Sequence, residues 1–225
     1  MILQGVVFDV DGVLFDSERL MHQVWKEVSV EVGYPDVWKD YLEYVGIGRD
    51  TIFQKMLSLY GPEFPKEAFL TACSQRLQEH MERDGVPLKP GVVELLEFLS
   101  AHNIPVALAT STASVRTLRR LELTGLEHYF KAAITGDQVK RGKPAPDIYL
   151  MACEALGTDP AHTLAVEDSR NGILSASSAG MPVVMVPDMI PPTPELDALL
   201  WKRLSSLVEL RDVLAIYSDL KKTEI

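Results

Sequence analysis

Cysteine is almost missing from this chain. Cys73 and Cys153 are the only two in 225 residues. No pair of cysteines or histidines has zinc spacing, and two free thiols suit a reducing compartment. Basic residues are outnumbered, with 22 Lys and Arg against 32 Asp and Glu, for a net charge of −10. No long basic run occurs, which argues against a nucleic-acid backbone as partner. No apolar stretch is long enough to span a bilayer, and the N-terminus shows no basic n-region or cleavage site. A cytoplasmic protein without a membrane partner is therefore expected. Internal repeats and low-complexity tracts are also missing. What remains is a globular composition, 47% hydrophobic and 24% charged, sufficient for one large core or two smaller ones.

Within that composition, the most informative feature is Asp9-Val10-Asp11-Gly12, directly after the apolar run Val6-Val7-Phe8. Two acids two residues apart at a strand end point to the same side, and the glycine permits a sharp turn. An EF-hand loop also opens Asp-x-Asp, but it needs glycine at its sixth position, where this chain has Leu14. The structural alternative is a solvated turn after an edge strand.

Residues 2–8 read as a buried strand. From Ser17 to residue 86 the pattern is helical throughout. Leu20, Met21, Val24, Trp25, Val28 and Val32 keep one helical face, and Val37, Trp38, Tyr41, Leu42 and Val45 predict a second. Two further helices carry Ile52, Phe53, Met56, Leu57 and Phe69, Cys73, Leu77, Met81. After Pro90 the rhythm changes to helices at 92–99, 115–123, 147–156 and 172–179, alternating with strands at 104–110, 132–135, 163–166 and 183–186. This alternation predicts an α/β, Rossmann-like parallel sheet covered by helices. Residues 195–220 read as helical, with one short strand near Leu204. The expected organisation is an α/β core from 1–15 and 88–225, with an all-helical cap at 16–87 inserted after the first strand.

The remaining polar clusters also fall at predicted strand ends. Thr110-Ser111-Thr112 offers hydroxyls and backbone N–H groups for a phosphate, or an ordinary helix cap. Lys143 sits in a loop stiffened by Pro144 and Pro146 and offers a point charge for phosphate, or is a solvated lysine. Glu167-Asp168 faces the same edge as Asp9. Together these acids make a hard oxygen site suited to Mg²⁺. Convergence of four such clusters on one sheet edge predicts metal-assisted phosphoryl transfer.

In these motifs the chain resembles the haloacid dehalogenase superfamily, in its phosphatase and phosphomutase branch with a helical cap. The matching segments are Asp9-Val10-Asp11-Gly12-Val13, Thr110-Ser111, Lys143-Pro144 and Glu167-Asp168, with flanks Asp16-Ser17-Glu18, Ala145-Pro146-Asp147 and Ser169-Arg170-Asn171-Gly172. The resemblance implies Asp9 as nucleophile through an aspartyl-phosphate and Asp11 as the acid and base. It implies Mg²⁺ on Asp9, the Asp11 carbonyl, Asp168 and Glu167, the last as ligand or support. Thr110, Ser111 and Lys143 would hold the phosphoryl group. Arg49, in Val45-Gly46-Ile47-Gly48-Arg49, matches an arginine that binds a distal phosphate in β-phosphoglucomutases, or is a surface arginine. Other mutase positions depart: Val45 replaces a lysine, the cap histidine position falls on Met21 with His22 adjacent, and Ala113-Ser114 replaces Lys-Asn. The expectation is a monomeric phosphatase of a small phosphorylated metabolite such as a sugar phosphate. A phosphosugar mutase and a non-catalytic phosphate-binding protein are the alternatives.

Overall fold

The computed structural model describes the backbone of residues 3–45 and 49–222, and the side chains of 3–45 and 51–216. In chain order the elements are β1 (Gly5–Phe8), α1 (Ser17–Glu31), a 3₁₀ turn (Val37–Glu43), α2 (Arg49–Tyr60), α3 (Lys66–Asp84), α4 (Val92–Ala101), β2 (Val106–Thr110), α5 (Ser114–Thr124), β3 (Phe130–Thr135), α6 (Asp147–Leu156), β4 (Thr163–Glu167), α7 (Arg170–Ser178), β5 (Val183–Met185), α8 (Pro194–Asp197), β6 (Lys202–Arg203) and α9 (Leu207–Lys222). Backbone proximity divides the chain into two compact units, one from Met1–Phe15 and Leu88–Ile225, the other Asp16–Pro87.

The larger unit is a six-stranded sheet in the order β3-β2-β1-β4-β5-β6, and every pairing is parallel. β1, β2 and β4 are buried along their whole lengths, as strands covered on both faces must be. The chain runs outward from β1 through β2 to β3, then returns to the other side of β1 for β4. The reversal makes the carboxyl ends of β1 and β4 the topological switch point, where doubly wound sheets bind ligands. Register decides which side chains meet there. Val7 pairs with Ala165 and Phe8 with Val166. Both Val7 and Ala165 belong to the core that packs against Ile148, Tyr149 and Ala152 of α6. Two residues further on, Asp9 and Glu167 keep that parity.

Several boundaries depart from the sequence pattern for physical reasons. β2 starts at Val106 rather than 104 because Pro105 has no N–H for the ladder, although its carbonyl accepts from Val6 N at 3.0 Å. β3 starts earlier than expected, at Phe130. A register shift there leaves Lys131 without an opposite residue, and its Nζ reaches the Leu156 carbonyl at 2.9 Å. α7 starts at Arg170 because Ser169 caps it, its Oγ accepting from Gly172 N at 3.1 Å. The stretch 195–220 follows its expected pattern, helical in α8 and α9 with the short strand β6 next to Leu204.

In the smaller unit α1 packs on α3. Trp25 lies at its centre, edge-on to Phe69 at 5.0 Å and to Tyr41 at 5.1 Å between ring centroids. Trp25, Tyr41 and Tyr44 are all buried as core. The α-helix expected over 37–45 is instead a 3₁₀ turn that buries Val37 and Tyr41 and leaves Leu42 exposed. Over so short a span the apolar spacing fits both helical periods. His22 stacks on Tyr41 with centroids 5.1 Å apart. Among the described residues no helix is long and apolar enough to cross a membrane.

Candidate active site

Asp9 follows β1 directly, and its N–H extends the ladder to Val166 O at 3.0 Å. The carboxylate is buried. Its Oδ1 accepts from Lys143 Nζ at 2.6 Å, and the same ammonium donates to Glu167 Oε1 at 2.6 Å. Lys143 therefore bridges the two acids that strand parity brings together, and it also lies 5.1 Å from the centroid of the Tyr149 ring. The side chain of Lys143 is only 5% exposed, so the alternative of a solvated loop lysine does not hold.

Glu167 is fully buried and receives five donors. Lys143 Nζ and Tyr149 Oη bond Oε1 at 2.6 and 2.7 Å. The N–H groups of Asp168 and Ser169 and the Ser169 hydroxyl bond Oε2 at 3.1, 3.2 and 3.0 Å. Gly172 is what lets the start of α7 approach this carboxylate, since a Cβ there would fall 1.7 Å from Oε1.

Gly12 solves the corresponding problem on the other side. Its φ is +86°, and a Cβ would lie 2.2 Å from Asp168 Oδ2. Gly12→Ala should therefore combine backbone strain with displacement of Asp168, costing roughly 1–3 kcal/mol of stability. Divalent-cation affinity should fall with it, measured by calorimetric titration. Unchanged affinity would show that Asp168 is not held against this turn.

Burial pushes the Asp9 carboxyl up to about 8; Lys143 opposes that shift, and Glu167 and Asp11 add to it. Burial works against charge on Lys143, but Asp9 and Glu167 together hold its ammonium above the usual lysine range. Burial, then Glu167, likewise holds the Tyr149 hydroxyl in its protonated, donating form.

Asp9, Glu167 and Asp168 present carboxylate oxygens within 4.8 Å of one another, and all three residues are buried. A buried set of hard oxygens on three acids, with a single lysine between two of them, fits a divalent cation of the Mg²⁺ type. Asp11 holds its carboxylate differently: Oδ2 accepts from Thr112 Oγ1 at 2.7 Å and Oδ1 from Arg120 Nη1 at 2.5 Å. Thr110 is buried at the end of β2, its Oγ1 accepting from Thr112 N at 3.1 Å, whereas the neighbouring Ser111 is exposed.

Residues 3–180 match the haloacid dehalogenase-like hydrolases. The chain belongs to that family. This hydrolase is 35% identical over 182 residues to the phosphorylated carbohydrates phosphatase of Thermotoga maritima, covering 80% of this chain and 82% of that protein. It is 32% identical over 204 residues to hexitol phosphatase A of Escherichia coli K12, covering 89% and 91%. A solved Thermotoga maritima structure, described as a candidate β-phosphoglucomutase, superposes with a TM-score of 0.79 at 31% identity, covering 95% and 99%.

The structure brings Asp9, Lys143 and Glu167 into direct contact, with Asp168 completing the carboxylate cluster. Arg49 opens α2, but its side chain falls outside the described residues, as do Gly46, Ile47 and Gly48. Tyr149 and Arg120 were not singled out by the sequence motifs, and Ser169 entered only as a flanking residue with no role. Helical phase signals one of them: Arg120 shares the inward face of α5 with Thr117 and Leu121, all three buried.

Proposed function

We propose that this hydrolase is a Mg²⁺-dependent phosphatase acting on a small phosphorylated metabolite, of the phosphosugar or polyol phosphate class. The observation that carries the reading is the Lys143 bridge between Asp9 and Glu167, beside Asp168, at the switch point of the sheet. The names of the carbohydrate and hexitol phosphatases support the substrate class.

Asp9, Asp168 and the Asp11 carbonyl would hold the cation, with Glu167, its oxygens already bonded, supporting Lys143 and the turn at Ser169. When bound, Mg²⁺ supplies positive charge that keeps Asp9 ionised and offsets charge on the phosphoryl group. An Asp9 carboxylate oxygen attacks phosphorus, the P–O bond to the substrate breaks, and the leaving oxygen takes a proton from Asp11. Water then attacks the aspartyl-phosphate and gives its proton to Asp11. The bond to Asp9 breaks, and inorganic phosphate leaves. Lys143 has a third N–H for a phosphoryl oxygen beyond its bonds to the two acids. Thr110 and the Ser111 backbone would hold the remaining phosphoryl oxygens. The unit at 16–87 would act as a cap that excludes water and selects the substrate, with Arg49 as a candidate contact.

The mutase alternative draws on the structural neighbour. Against it, Ser114 is engaged elsewhere, its N–H and hydroxyl bonded to Asp137 at 3.0 and 2.7 Å. The deciding experiment measures phosphate release from a panel of sugar, polyol and glycerol phosphates, with Mg²⁺ and with chelator. Each sugar 1-phosphate is run with and without its bisphosphate, and isomer formation is followed in the same tubes. Mg²⁺-dependent phosphate release is expected, with chelation reducing it by at least ~10²-fold. Isomer formation without phosphate release would overturn the phosphatase reading in favour of a mutase. Magnesium binding with neither product would leave a binding protein.

A further inference from the structure

Arg120 is a charged residue in an unfavourable place. Its side chain is 4% exposed, on the inward face of α5 beside Thr117 and Leu121. Arginine is rarely buried this far unless it is paired. Its Nη1 donates to Asp11 Oδ1 at 2.5 Å, while its Nε has no hydrogen-bond partner among the described residues. The guanidinium is thus desolvated without being fully satisfied, an arrangement that a packed apolar side chain would improve for stability alone. Its bond runs 109 positions back along the chain, to the carboxylate of the first motif.

From this geometry we infer that Arg120 is a positioning residue for Asp11. The inference rests on the acid and base role proposed above for Asp11. Thr112 fixes one carboxylate oxygen and Arg120 the other, so the plane of the carboxylate is set from two points. The Asp11 side chain is 22% exposed, so burial alone does not set its orientation. The two partners also differ in kind. Arg120 only donates, whereas the Thr112 hydroxyl can turn to donate or accept. The pair therefore reserves Oδ2, on the Thr112 side, for the proton in transit. Precise placement of that oxygen is what a proton transfer requires.

The test compares kcat/KM for p-nitrophenyl phosphate and β-glycerophosphate with Mg²⁺. The nitrophenolate leaves without needing a proton; the alkoxide of β-glycerophosphate does need one. Arg120→Met should lose about 10- to 100-fold on β-glycerophosphate and at most about 3-fold on p-nitrophenyl phosphate. Arg120→Lys should recover part of the loss, because a point charge replaces the fork. In an Asp11→Asn background, Arg120→Met should cost nothing further. Equal losses on both esters, or a further loss in the Asp11→Asn background, would show a merely structural role and overturn the inference. A crystal structure of Arg120→Met that leaves the Asp11 carboxylate in the same orientation would overturn it whatever the turnover. Failure of the underlying reading looks different: wild-type protein then releases no phosphate, or Asp11→Asn is as active as wild type.

Discussion

Asp9→Asn is expected to abolish Mg²⁺-dependent phosphate release, by ~10⁴-fold or more, on every substrate the wild-type protein accepts. The amide has the shape of the carboxylate but cannot form the aspartyl-phosphate, so the loss falls on kcat. Folding should survive. Burial of the Asp9 carboxylate is itself unfavourable, pushing its carboxyl up to about 8. A neutral isostere removes that cost while Lys143 keeps its bond to Glu167. The expected picture is a thermal midpoint equal to or above that of the wild type, with no turnover. Circular dichroism melts and phosphate release on the same preparations check both halves. Residual turnover within tenfold of wild type would rule out Asp9 as the nucleophile.

Lys143→Met should have the largest effect on stability. It leaves Asp9 and Glu167, both buried, without the ammonium that bonds each at 2.6 Å. Breaking a buried pair by removing one partner costs about 3–5 kcal/mol, which for a chain of this size is a fall of roughly 10 °C in thermal midpoint. Saturating Mg²⁺ should restore part of it, because a cation bound to the folded state stabilises by mass action. Activity should not return, since the lysine proposed to hold a phosphoryl oxygen is gone. A midpoint within 2 °C of wild type under chelation, by scanning calorimetry, would show that the buried pairing does not support the fold.

Much of the site was legible in the sequence because its chemistry is concentrated at strand ends. Asp9, Glu167 and Asp168 follow short apolar runs, which a parallel sheet gathers at one edge, and Lys143 stands out in a loop by the two prolines that follow it. The register was not legible. Nothing in the composition of β4 says that Ala165 lies beside Val7, and that pairing is what sets Glu167 next to Asp9. The partner of Arg120 was hidden for another reason. Arg119-Arg120 reads as a pair of surface charges; Arg119 pairs with Glu122 in just that way, while Arg120 turns inward to a partner 109 residues away. Helical phase turns Arg120 inward with Thr117 and Leu121, but nothing local to α5 names a partner so distant in sequence. The boundaries of β2 and β3 were missed because Pro105 and Lys131 act through ladder geometry rather than hydrophobicity.

The alternation of strand faces makes this site a matter of counting. Val7, Asp9, Ala165 and Glu167 share one face only while β1 and β4 keep their present frame. A one-residue slip of β4 would send Glu167 to the opposite face and strip it of Lys143 and Tyr149 together, with no substitution anywhere. Loops can change length by single residues at small cost. The short runs from Gly5 to Gly12 and from Thr163 to Gly172 cannot, so they are the two stretches where a single-codon insertion or deletion would be more damaging than most changes of residue type.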